Sequence, residues 1–191
     1  MSSKSGPRAQ GTDGTDFLHR QRVAAHYQES ANQKFYLKFF YAAQLLVLAA
    51  MWAKVGSEVL RREFGVKIAA INKLDLPSAY PWEYVYSFNF IAIIFGLLSF
   101  PRNKLTFIKY HYYSQFLFGL LPVFIGMGSQ LPELVDYFSN GENSKTPTFN
   151  GAFPMVFLWY VFFLLAMQIH AGAMYCSHQL ASAWTPVKKT E

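Results

Sequence analysis

Five histidines, one cysteine and a terminal pair of lysines are the side chains in this sequence best suited to proton transfer, metal binding or anion recognition. The histidines are His19, His26, His111, His170 and His178. None stands in an HExxH, HxxxH or HxxHH arrangement, the spacings that bring two imidazoles to one metal from a single helix face. A zinc protease or di-iron hydroxylase is therefore not expected. His19 and His26 are seven positions apart and can share a helix face, but have no obvious carboxylate partner. Cys176 is the only cysteine, so an intramolecular disulfide is excluded. It lies near the end of an apolar run and reads as a buried thiol, with juxtamembrane palmitoylation as the alternative. No Ser, Cys or Asp nucleophile occupies a recognisable motif. The expectation is a chain that is not an enzyme, with no catalytic, cofactor-binding or metal-binding residues.

The last four residues are Lys188-Lys189-Thr190-Glu191. Lysines at the fourth and third positions from the end form a dilysine retrieval signal when the tail is cytosolic. Two ammonium groups and a free carboxylate can then be read together by pockets of the COPI coatomer, as an address rather than an anchor. Fourteen residues, His178 to Glu191, follow the last apolar run. Extended, they carry the lysines clear of the headgroups. Pro186 discourages helix before the motif. Trp184 suits the interface.

A third group of polar side chains lies inside the apolar runs: Gln44, Asn89, Gln115, Gln168 and His170. Such residues commonly hydrogen-bond between helices, at about 0.6 kcal/mol each. Gln168 and His170 sit in the tail-proximal half of the fourth run, where a cofactor or lipid head could also reach. The alternative to a non-catalytic protein is thus a small membrane enzyme or lipid-handling protein using polar residues of that run. No acidic residue lies within a run, which argues against proton-coupled transport.

These residues are positioned by elements that read as membrane spans. Hydrophobic residues make up 52% of the 191 and charged residues 15%, well below the usual quarter for soluble domains. Aromatics reach 18%. Four apolar runs fit the length a helix needs to cross a bilayer, at about 36–54, 84–100, 109–130 and 152–176. The fold class is an all-α integral membrane protein with four transmembrane helices and both termini cytosolic. A cytosolic arm, 1–34, precedes a membrane domain, 35–177, and a tail, 178–191, follows it. Luminal loops cover 55–83 and 131–151. The arm lacks a signal-peptide core, so the first run acts as an uncleaved signal-anchor.

Lys38 and Lys54 bracket the first run and are expected to snorkel outward. Pro122 should kink the third. Ala49-xxx-Ala53 and Ala92-xxx-Gly96 allow close helix contact. Eleven Lys and Arg fall on the tail side of the spans and six on the other, which sets the orientation. Arg102 and Lys104, in the short turn between the second and third runs, are its main internal determinants. In the first loop, Val55, Val59, Leu60, Phe64, Ile68 and Ile71 recur at near-helical spacing, as in an amphipathic helix lying on the leaflet or packed on the bundle. The arm begins with a Gly/Ser-rich stretch that reads as disordered, then a basic helix from Asp16. No Asn-x-Ser/Thr sequon occurs.

Three segments carry a family resemblance. Gly6-Pro7-Arg8-Ala9 with Gly11 to Phe17, His19-Arg20, Arg22-Val23-Ala24 and His26-Tyr27-Gln28 resembles the N-terminal signature of the Jagunal family. Trp82-Glu83-Tyr84 and Leu97 to Asn103 are similar to its second-span signature, and Gln168 to Ala171 to its fourth. The first luminal loop and residues 129–151 depart from the pattern. The resemblance implies an endoplasmic reticulum tetraspan protein that supports organisation of that membrane and vesicle-mediated transport in the early secretory pathway. Lipids, coatomer and membrane cargo are the implied partners, with no nucleic acid and no catalysis.

Overall fold

The computed structural model describes residues 15–74, 76–149 and 153–185. Four helical stretches in it are long and apolar enough to cross a membrane. The first is one continuous helix, α1 (Thr15–Phe64), that merges the basic arm, the first apolar run and the start of the first loop. The second joins α3 (Pro81–Tyr86) to α4 (Phe90–Ser99) through a 3-10 turn. The third joins α5 (Leu105–Gln115) to α6 (Leu121–Asn140), and the fourth is α7 (Met155–Trp184). A four-residue helix, α2 (Ala69–Asn72), lies between the first and second stretches. A two-residue hairpin, β1 (Thr148–Phe149) and β2 (Phe153–Pro154), lies between the third and fourth. The expected all-α membrane fold with four spans is what the structure shows.

Side chains place both described ends of the chain together. The ring of His26 meets the Ala183 carbonyl at 2.7 Å, Trp184 donates to Ser30 Oγ at 3.0 Å, and Lys34 donates to Asn103 Oδ1 at 2.6 Å. The early part of α1, the end of α7 and the 99–104 turn therefore form one end of the bundle. At the other end Lys54 meets Glu83, and Tyr80 donates to Glu133 at 3.1 Å. Burial there raises the Tyr80 phenol above its ordinary pKa, and the Glu133 carboxylate adds to the effect.

Several elements differ from expectation for identifiable reasons. The amphipathic pattern over 55–71 is not one helix. Gly65 takes φ +66° and closes α1, a conformation an L side chain resists. Ala49 and Ala53 face outward, whereas Gly96 accepts the Tyr41 ring so closely that a Cβ there would overlap its hydroxyl. Helix α7 continues to Trp184, so the chain leaves it eight residues later than the apolar run suggested. Pro122 has no N–H for the carbonyl one turn back. The helix absorbs this in a π turn over Phe116–Leu120, immediately before the proline.

Candidate functional site

Two buried polar constellations join the helices. The first centres on His170, fully buried on α7. Gln44 of α1 approaches its Nδ1 at 3.5 Å, and the Gln115 amide of α5 contacts the same nitrogen. With both amides donating to Nδ1, the ring proton belongs on Nε2, which donates to the Tyr86 hydroxyl at 3.0 Å. Four helices thus meet at one imidazole. The π turn brings Gly119 against the same ring: a Cβ there would lie 2.8 Å from Nδ1. Only glycine admits the histidine this close. On the next layer His111 donates from Nδ1 to the Ala92 carbonyl at 2.9 Å and lies edge-on to Tyr41. Asn89 is enclosed as well, with neither amide atom bonded to protein.

Of the five in-span polar residues, the structure brings together Gln44, Gln115 and His170. Asn89 is buried apart from them, and Gln168 is exposed. Gln168 cannot share the cluster, because two positions along a helix put it about 200° around from His170. The pair proposed for a span-four enzyme site therefore faces opposite directions. Each member of the cluster is sealed from bulk solvent, and no group of three or more His, Cys, Asp or Glu that could hold a metal exists among the described residues. The arrangement locks helices. Tyr86 carried no signal beyond a polar atom in an apolar run, and His111, weighed among the five histidines for metal spacing, was not among the expected interhelical contacts.

The second constellation corrects the expectation for Lys54. Its ammonium does not snorkel: the side chain is buried and donates to both Glu83 oxygens at 2.7 and 2.8 Å. The cation lies 4.5 Å from the Trp159 ring centroid and 5.5 Å from that of Tyr80. Glu83 also accepts from the Tyr80 N–H at 3.3 Å, capping α3. A buried cation at the edge of the hydrocarbon is tolerable when its carboxylate and two aromatic faces replace water.

Arg102 and Lys104 are exposed in the turn at the tail end. Lys188 and Lys189 lie outside the described residues, as does the start of the N-terminal signature, up to residue 14. Cys176 is buried on α7.

Residues 1–188 match the family described as "Jagunal, ER re-organisation during oogenesis". The chain belongs to the Jagunal family. It is 57% identical over 189 residues to the protein jagunal homolog of Caenorhabditis elegans, covering 99% of this chain and 100% of the worm protein. It is 34% identical over 184 residues to protein jagunal homolog 1 of Homo sapiens, at 96% and 94% coverage. Protein jagunal of Drosophila melanogaster is 30% identical over 188 residues, at 96% and 95% coverage. The resemblance carried by the N-terminal block and the Leu97–Asn103 segment is borne out across the whole chain. Within the family frame, both constellations tie distant parts of the sequence together: Gln44 to His170, and Lys54 to Glu83 and Trp159.

Proposed function

We propose that this protein is a multi-pass protein of the endoplasmic reticulum membrane that supports the organisation of that membrane and vesicle-mediated transport in the early secretory pathway. In this reading it acts without catalysis, holds both termini in the cytosol and is returned from the Golgi by coatomer reading Lys188 and Lys189. The family match over residues 1–188, with its description of endoplasmic reticulum re-organisation, carries the reading. Two observations support it. The described chain ends share one end of the bundle, so one orientation would expose both to the same compartment. That end carries Arg102 and Lys104, the charges that favour the cytosol. Lipids surround the spans, and membrane proteins in transit are the cargo class such a role implies.

One engineered glycan tests orientation and retrieval together. Lys145→Thr converts Asn143-Ser144-Lys145 into an acceptor in the opposite, exposed loop. The expected product is glycosylated and stays sensitive to endoglycosidase H. Adding Lys188→Ser and Lys189→Ser should move the protein forward and make the glycan resistant. An unglycosylated K145T chain would overturn the orientation. Persistent sensitivity in the triple variant would overturn retrieval through the lysines.

A further inference from the structure

We propose that the recess between α5 and α7 at the tail end of the bundle binds the phosphate of a phospholipid headgroup. The recess has a volume of about 280 Å³ and is walled by Lys109, Tyr112 and Tyr113 from α5, by His178 and Ser182 from α7 and by Thr185 just past its end. The α5 residues are spaced i, i+3, i+4 and the two α7 residues i, i+4, so each set forms one stripe on its helix, and both stripes line the same recess. Among the described residues, no carboxylate lines the recess. Thr185 Oγ1 is spent on the Ala181 carbonyl at 2.7 Å. The lining residues able to donate are Lys109 with its ammonium, Tyr112 and Tyr113 with their phenols, His178 with its imidazole and Ser182 with its hydroxyl. A cation with several hydroxyl donors and no competing acid is the donor set that suits a phosphate oxygen cluster.

Charge complementarity extends beyond the recess. The chain segments on this side of the spans hold eleven of the seventeen Lys and Arg but four of the eleven Asp and Glu. The other side holds six and seven, so the net positive charge of the protein is concentrated here. Position selects a lipid over a soluble anion. From Lys109, α5 descends into the apolar span, with Phe116 46% and Leu117 49% exposed; from His178, α7 descends past Tyr175, 61% exposed. An acyl chain hanging from a headgroup in the recess would lie along these outward faces, while paired Tyr112 and Tyr113 hold the level of the interface. The site stands whichever compartment the tail faces, so it survives or fails independently of retrieval.

The test uses the purified full chain in non-ionic detergent, titrated with dioctanoyl phosphatidic acid and followed by native mass spectrometry. Dioctanoylglycerol, which has the same chains without phosphate, and inorganic phosphate are the comparison probes. Phosphatidic acid alone should be retained. Lys109→Gln and, separately, Ser182→Ala should weaken it, the first by about tenfold, the loss of one charge-assisted bond. Lys38→Gln removes an exposed cation at the same end of the bundle and should leave binding unchanged, as should the thermal midpoint of each variant. Equal weakening by Lys38→Gln would reduce the effect to diffuse attraction and overturn the recess. Equal retention of the glycerol would show that the acyl chains bind alone. Equal binding of inorganic phosphate would replace the lipid with a free anion. No retention of phosphatidic acid would remove the site.

Discussion

Lys54–Glu83 and the His170 cluster both join helices through buried polar groups, but one is ionic and near the end of the bundle while the other is neutral and deep within it. They lie only ten residues apart on α1, at Gln44 and Lys54, or about 15 Å of helix. The difference follows from depth. Near the edge, the ion pair needs aromatic walls from Tyr80 and Trp159 because water is close but excluded. In the middle of the span a charge would be far costlier, and neutral amides, an imidazole and a phenol carry the contact. Each device also has its own dependence. The ion pair fails when one member loses charge. The neutral cluster tolerates the loss of an amide but not of the space that Gly119 leaves for the ring.

The sharpest way to break the comparison is Glu83→Gln. The amide keeps the shape and can still accept from Tyr80, but the buried Lys54 ammonium loses its hydrogen-bonded counter-charge. Removing one partner of a buried pair costs about 3–5 kcal/mol. A large fall in the thermal midpoint of the purified protein in detergent is expected. The double variant Lys54→Met with Glu83→Gln should recover most of it, because the uncompensated charge is gone. A double variant no more stable than the single one would locate the cost in the packing around Lys54 and Glu83 rather than in the uncompensated charge.

Gly119→Ala probes the neutral cluster through space. The added Cβ would sit 2.8 Å from Nδ1 and 3.0 Å from Cε1 of His170, a ring held by three side chains. Overpacking of this kind costs about 1–3 kcal/mol. Gly128→Ala is the matched control: nothing lies within 4 Å of its Cβ position, and alanine is the better helix former. The expected result is a loss at 119 and no loss at 128. Shrinking the ring with His170→Ala in the Gly119→Ala background should remove the clash, so the two changes should cost less together than their sum. Additive losses would mean that the π turn itself, rather than the ring, requires the glycine.

The four spans were legible from composition, because an apolar run of sufficient length needs no partner to be recognised. The polar residues within them were legible too, since Gln44, Gln115 and His170 stand out against Leu and Phe. Their convergence was not. Which face of a span points inward depends on neighbours that a hydropathy pattern does not name, and so Gln168 was grouped with His170 although it faces away. Lys54 departs from expectation for a related reason. Snorkelling is the default for a lysine at a span boundary, and the carboxylate that holds it inward is 29 residues away, at the start of another helix. The π turn left a trace in Gly119 and Pro122, but the proline alone signals only a disturbed helix and not the π turn that precedes it.

The smallest expected effect separates the two amides of the neutral cluster. Gln115 contacts His170 Nδ1 closely, whereas Gln44 reaches the same atom only at 3.5 Å. One lone pair cannot serve two donors equally well, so Gln44 holds the weaker bond. The carbonyl oxygens of both amides are buried with no bond to protein, so either Leu substitution removes an unfavourable group along with its bond, and the difference between them lies in the bond to Nδ1. The two consequences oppose each other. Interhelical hydrogen bonds within membranes average about 0.6 kcal/mol, with a ceiling near 1.7. Gln44→Leu should therefore shift the thermal midpoint less than Gln115→Leu, and both should shift it far less than Glu83→Gln. An effect of Gln44→Leu as large as that of Glu83→Gln would invert the ordering. The neutral cluster, rather than the ion pair, would then be the principal tie between α1 and the rest of the bundle.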